Sequence, residues 1–396
     1  MGQLSANKIA ISIFLGLTSA IALGSLGYAL KDKVNLTAPM AISKSHANSM
    51  IATKPSIAEN RTNLALATDL IAQNQGHKAL EKLSGLEQSY PLLEPYILLK
   101  RGQAYQVAGD AQQAEQTWNN LIQTHSSSPA VAEALYLLGQ SNQTYWQDAI
   151  AKFPQHPRTH QVIRQLLQQN PEQPRLMAIL VKYAPDDSDV HNIAHKLATK
   201  YSSQLTAQDW EAVGDSYWKK WDYGKAGQAY AKAPSNPRNL YRAGRGYHLG
   251  NGATIGKKFY LQLLEKYPTA EETGLGLRRL ALIVNKTEAL AYLDRVIRDF
   301  PQQAPEALLQ KAEIFKSLKN TRAADQTRER LITEYRSSAA SAEYRWKVAK
   351  EKAKKGDLVT AWQWAHAIAV NNPDSPLAPK ASFWIGKWAQ KLGRTA

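Results

Sequence analysis

The chain has no cysteine in its 396 residues. That excludes a disulfide framework, a thiolate metal site and a cysteine nucleophile. Charged residues are sparse at 21%, while 44% of residues are hydrophobic. This balance excludes a disordered or coiled-coil composition. Acidic residues are in short supply: 33 Asp and Glu stand against 49 Lys and Arg, a net charge of +16. Such an excess favours an acidic partner, whether nucleic acid, anionic lipid or a carboxylate-bearing polymer. The excess is also local. The net charge is +4 over residues 1–55, −1 over 56–205 and +13 over 206–396.

One long stretch lacks charge altogether, the 22 residues from Ile9 to Leu30. As a helix it would span roughly 33 Å at about 1.5 Å per residue, against a bilayer core of about 30 Å. It exceeds the apolar part of a signal peptide, about 7–15 residues. The expectation is a transmembrane signal anchor over 9–30, after a short flank at 1–8. The small residues Gly27 and Ala29 leave cleavage as the alternative. Lys8 before the span and Lys31 and Lys33 after it nearly balance the positive-inside rule. The short flank and the lack of a further span favour export. Residues 31–56, rich in Ser, Ala, Asn and Lys, read as a flexible tether.

No stretch from residue 57 onward reads as a strand. Apolar residues recur at three- and four-residue spacing, and proline clusters end each run. Breaks fall at 125–129, 153–157, 170–174, 233–237, 267–268, 300–305, 335–338 and 371–376. Pro268 to Pro301, Pro301 to Arg336 and Arg336 to Pro373 are steps close to 34 residues, the tetratricopeptide period of two helices per repeat. One unit reads Gly102, Ala104, Tyr105, Ala108, Gly109, Asp110, Ala114, Trp118. Others centre on Trp221-Asp222 with Ala226, on Asn320 with Ala323, and on Gly356-Asp357 with Ala361. Each pairs a turn that ends one helix and caps the next with a small residue for close packing. The fold class expected over 57–396 is therefore an all-α, tetratricopeptide-like α-solenoid or superhelix with a concave face. Residues 206–396 show the clearer repeats, and 57–205, above all 130–205, read as irregular hairpins.

The last stretch, Trp384-Ile385-Gly386-Lys387-Trp388-Ala389-Gln390-Lys391-Leu392-Gly393, resembles the repeat unit of the superhelical, U-shaped domain of soluble lytic murein transglycosylases. Tyr241-Arg242-Ala243-Gly244-Arg245-Gly246-Tyr247-His248-Leu249-Gly250 is similar. The resemblance implies an exported protein, periplasmic and held to the inner membrane by 9–30, working near peptidoglycan or a cell-wall protein. In that family a catalytic domain with a Glu-Ser motif follows the superhelix. No Glu here precedes Ser, so the activity carries over to no residue of this chain. The expectations are a non-catalytic scaffold, a general protein-binding adaptor, or the N-terminal part of a split transglycosylase.

No catalytic constellation or cofactor motif stands out. His191 and His195, like His156 and His160, share a helical face, as zinc ligands would. They lack the Glu of the metalloprotease motif and read as surface or interfacial histidines. Asp186, Asp187 and Asp189 read as charges at a helix start. Gly244-Arg245-Gly246 and Gly274-Leu275-Gly276 complete no phosphate loop and point to close helix packing. Most of the ten Trp, among them Trp218, Trp221, Trp346, Trp362, Trp364, Trp384 and Trp388, read as packing between repeats. The basic, aromatic run Arg238, Tyr241, Arg242, Arg245, Tyr247 is the candidate glycan- or carboxylate-binding face; a solvated helix with core tyrosines is the alternative. An export segment argues against nucleic acid as the partner of all this positive charge.

Overall fold

The computed structural model describes residues 57–393. The expected anchor at 9–30 and tether at 31–56 lie outside the described residues. Every regular element described is helical, and none is long and apolar enough to cross a membrane. Two compact units meet in sequence between Glu172 and Gln173.

The first unit contains α1 (Ile57–Ala72), α2 (Gly76–Leu83), α3 (Leu86–Ser89), α4 (Glu94–Ala108), α5 (Ala111–Thr124), α6 (Pro129–Leu138), α7 (Thr144–Lys152) and α8 (Pro157–Gln169). The second contains α9 (Pro174–Tyr183), α10 (Val190–Lys200), α11 (Ala207–Lys219), α12 (Tyr223–Tyr230), α13 (Pro237–Leu249), α14 (Ala253–Lys266) and α15 (Glu271–Leu280). It continues with α16 (Lys286–Asp299), α17 (Ala304–Ser317), α18 (Thr321–Glu334), α19 (Ala339–Lys354), α20 (Leu358–Asn371) and α21 (Ala378–Lys391). All eight breaks expected from the sequence fall between helices. Pro129, Pro157, Pro174 and Pro237 each open a helix, where the missing N–H has no intrahelical bond to lose.

Six turns share one device. Asn74, Gly109, Trp221, Asn251, Lys319 and Gly356 adopt left-handed backbone, with φ from 59° to 88°. The following N–H then reaches back five residues: Gln75 to Leu70, Asp110 to Tyr105, Asp222 to Tyr217, Gly252 to Tyr247, Asn320 to Phe315 and Asp357 to Lys352, at 2.7–3.1 Å. These bonds satisfy carbonyls that the end of a helix would otherwise orphan. In four of the turns the next side chain, Asp110, Asp222, Asn320 or Asp357, accepts from the N–H three residues on and so starts the second helix. Among the described residues no positive φ lies between Gly109 and Trp221. That is why 130–205 departs from the repeat pattern: its hairpins turn by other means, around helices of only 9–13 residues.

Trp221 carries the cost of the device. Left-handed backbone costs an L-residue about 1–2 kcal/mol, and its ring is 78% exposed, so little burial offsets this. Trp221→Gly is expected to raise stability by about 1 kcal/mol, after glycine's own entropy cost. A urea titration followed by circular dichroism would read this as a higher midpoint.

Inside the hairpins, Ala114, Ala226, Ala324 and Ala361 are buried four residues past each cap. The third of these is Ala324 and not the expected Ala323, which is only half-buried. Trp118 closes its hairpin by lying against Gly102, where an added methyl would come within 2.6 Å of several atoms of the indole. In the second unit adjacent helices pack on one another, and alternate ones also touch, α9 with α11, α13 with α15 and α17 with α19. The apolar core is a series of small clusters, one around Leu277 and Leu293, one around Leu308 and Leu331, one around Trp346 and Ile368. Trp346 and Trp388 pack as expected, whereas Trp221 and Trp384 are exposed.

One buried charge joins two repeats. Arg345 on α19 is 6% exposed. It donates to the carbonyls of Arg336 (2.6 Å) and Ile332 (3.3 Å) and to Oδ1 of Asn372 (2.9 Å). Asn372 in turn donates to the carbonyl of Ser338 at 3.0 Å. Burial, and then Arg336, lower the Arg345 pKa from its ordinary value. The carbonyls of Ile332, in the last turn of α18, and of Arg336, just past its end, take the place of a carboxylate, as the negative end of a helix allows.

Candidate functional site

α11 is started by a reciprocal cap, in which Thr206 accepts from the N–H of Asp209 and the Asp209 side chain accepts from that of Thr206. This fixes a face carrying Glu211, Asp215 and Trp218, spaced four and three residues apart. The next odd-numbered helix, α13, presents Arg238 and Arg242 at the matching interval. Asp215 Oδ1 accepts from Arg238 Nη2 (2.5 Å), Arg242 Nη1 (2.6 Å) and the Tyr230 hydroxyl (2.5 Å). Glu211 Oε1 accepts from Arg238 Nη1 at 2.7 Å. Arg242 also lies over the rings of Trp218 (5.3 Å) and Tyr230 (5.6 Å). Burial, reinforced by the bond to Asp215, pushes the Tyr230 phenol well above its usual range, so it stays protonated and donates.

This network forms one wall of a cleft of about 500 Å³. Val181 and Lys182 of α9, Trp218 and Lys219 of α11, and the two arginines line it. Lys219 reaches Asp186 at 2.7 Å, so Asp186 is paired across to α11 as well as lying near the start of α10. A smaller recess of about 300 Å³ involves Leu282, Leu309 and Ile314 beside α17.

The five residues of the candidate binding face divide. Arg238 and Arg242 line the cleft, and Arg245, Tyr241 and Tyr247 do not. Tyr241 packs 6.3 Å from Tyr260 against an apolar cluster. Tyr247 stacks on Phe259, with ring centroids 5.7 Å apart and planes 7° apart, and burial raises its phenol pKa. The acidic partners Glu211 and Asp215 are not visible from the basic run itself. A register signal would have found them: Arg238–Glu211 and Arg242–Asp215 are each separated by 27 residues.

The other sequence candidates take structural positions. His195 Nδ1 lies 3.0 Å from the Tyr217 hydroxyl and His191 Nδ1 3.4 Å from Ser216 Oγ, both across the α10–α11 contact. His156 caps α8 by accepting from the N–H of Arg158, and His160 Nε2 lies 3.0 Å from the Pro154 carbonyl. Among the described residues no three His, Asp or Glu converge as metal ligands. The Gly-x-Gly pairs lie within α13 and α15, and a methyl on Gly246 would come 2.6 Å from the backbone nitrogen of Gly227. Close helix packing is their role.

A family model described as tetratricopeptide repeat matches residues 96–128, the hairpin of α4 and α5. No curated protein matches the chain. Among solved structures it is similar to a tetratricopeptide repeat protein from Parabacteroides merdae, at 12% identity over 84% of this chain and 99% of that one, with a TM-score of 0.32. It is also similar to human IFIT1, at 14% identity over 85% of each chain and a TM-score of 0.35. Yeast Tom70 shows 13% identity over 85% of this chain and 90% of its own, with a TM-score of 0.36. The hairpins and the matched repeat make this chain a tetratricopeptide-like helical-repeat scaffold. Nothing in these matches points to lytic transglycosylases in particular.

Proposed function

We propose that the chain is a non-catalytic scaffold that holds an extended protein segment in the cleft between α9, α11 and α13. The observation that supports this is the mutual fixing of Arg238, Arg242, Asp215, Glu211 and Tyr230 around an open cleft beside Trp218. Donors and acceptors held in place before binding lower the ordering cost of association. Because each arginine is tied to a carboxylate, the wall presents both signs of charge with an aromatic face. That suits a peptide backbone with mixed side chains better than a uniform polyanion. The uncharged run at 9–30 supports an exported, membrane-anchored scaffold; a cell-wall protein as its partner, and peptidoglycan itself as the second reading, are carried by the sequence resemblance alone.

A photo-cross-linking residue replacing Lys182 in the full chain, expressed in its host, tests this. Discrete protein adducts are expected there and not at exposed Glu329 on α18. Adding Asp215→Ala, which frees Arg242 and leaves Arg238 tied to Glu211 alone, is expected to lower the adduct yield about tenfold, the equivalent of about 1.4 kcal/mol. Equal adducts at both positions, or none together with cosedimentation with purified sacculi, would sink the protein-segment reading.

A further inference from the structure

The Tyr260 ring projects from α14 between α13 and α15 and is 1% exposed. Two glycines make room for it: a methyl on Gly244 would come 2.6 Å from the ring, and one on Gly276 3.4 Å from it. On α13, positions 241, 245 and 248 recur on one helical face, and the Tyr241 ring lies 6.3 Å from that of Tyr260. Arg279 follows Gly276 by three residues on α15. Arg245 and His248 therefore share the face of α13 that carries Tyr241, and Arg279 lies one turn beyond the glycine that meets Tyr260 on α15; the charges of both guanidiniums bear on the imidazole and on the phenol.

The cluster lacks a counter-ion. Arg245 and Arg279 are half-buried, yet among the described residues neither makes a hydrogen bond or an ion pair. Their neighbour Arg278 differs, with Glu306 at 3.8 Å and Gln310 at 3.4 Å. His248 Nδ1 and the Tyr260 hydroxyl are buried without a hydrogen-bond partner, an arrangement that native interiors rarely tolerate. Burial first, then Arg245 and Arg279, hold the imidazole below its usual pKa, and no carboxylate opposes them. Two like charges and two orphaned polar atoms in one place are costly unless something completes them.

We propose that Arg245, Arg279, His248 and Tyr260 form a site for a dianionic oxyanion of the phosphate type, free or carried on a small ester. Two guanidiniums match its charge and offer forked donors to its oxygens. The phenol donates a further bond, and the imidazole does so once the anion draws a proton onto it. The site is separate from the cleft and does not rest on its assignment.

The test titrates the full-length chain with sodium phosphate, and in a second arm with glycerol phosphate, at ionic strength held constant with sodium chloride. Sodium acetate is the monoanionic control. The His248 ring signal, identified by its loss in His248→Gln, reports binding by NMR, and the thermal midpoint reports stability. A saturable phosphate response is expected, with the His248 pKa rising. Arg245→Gln and Arg279→Gln should each weaken it at least about tenfold while melting no lower than the parent in chloride. Binding of the ester alone would assign the site to a ligand-borne phosphoryl group, and binding of both to the oxyanion as such. An unsaturable response matched by acetate, or affinity unchanged in both variants, overturns the proposal. So does a lower melting point of both variants in chloride, because that marks the arginines as structural.

Discussion

Arg345→Ala is expected to remove about 3 kcal/mol from the stability of the second unit. The guanidinium is the common donor to the Arg336 and Ile332 carbonyls and to Asn372 Oδ1. Its loss leaves up to three acceptors short of a partner, each worth about 1–3 kcal/mol when buried and unsatisfied, together with a cavity. Relaxation and entering water return part of that sum. Asn372→Ala breaks the same hub from the other side and also its bond to Ser338, so the double variant is expected to cost clearly less than the two singles added. Urea unfolding of the four proteins of this cycle measures it. A loss below about 0.5 kcal/mol for Arg345→Ala, the level of an ordinary surface change, would show that the hub contributes nothing.

Gly246→Ala is expected to be as damaging, by a different route. The added methyl would meet the nitrogen of Gly227 at 2.6 Å, its Cα at 2.7 Å and the Tyr223 carbonyl at 2.7 Å. All three belong to the backbone of α12, so no side chain can swing away. The helices must part, and overpacking of this kind costs about 1–3 kcal/mol, with the upper end expected here. Because α13 also carries Arg238 and Arg242, the shift should pull them off Asp215 and Glu211 and lower cleft cross-linking together with stability. Gly386 provides the contrast. It is exposed within α21 with nothing within 4 Å of an added methyl, so alanine there should gain about 1 kcal/mol from helix propensity. Thermal melts of both variants decide the matter, and equal effects at the two positions would refute the close-packing account.

The features legible in the sequence were those set by neighbours in the chain. Gly109-Asp110, Gly356-Asp357 and Trp221-Asp222 announce turn and cap in adjacent residues, because a left-handed residue and a short acceptor are local requirements. Prolines marked seven of the eight expected breaks for the same reason, and Ser338 the eighth. The cleft was half legible. Arg238 and Arg242 carry their own spacing on one helix, but their partners sit 27 residues earlier. Other links between repeats bridge 34 residues, as in Lys347 to Glu313, so no single period would have located them. The packing of Tyr241 and Tyr247 was not legible, because α13 is covered on several sides. Tyr241 meets Tyr260 and Tyr247 meets Phe259, and helical spacing alone does not say which face a following helix will cover.

The six left-handed turns bear on how the chain comes to be folded. Each closes through a bond spanning five residues, so a hairpin can form from contacts close in sequence, the kind that make folding fast. During synthesis such hairpins can assemble one at a time as they emerge. The helices α6 to α10 have no such turn among the described residues and depend more on neighbours made before and after them. A growing chain would therefore pass through its most exposed moment while this middle stretch emerges, and the later repeats, all but the α15–α16 hairpin carrying such a closure, would end it.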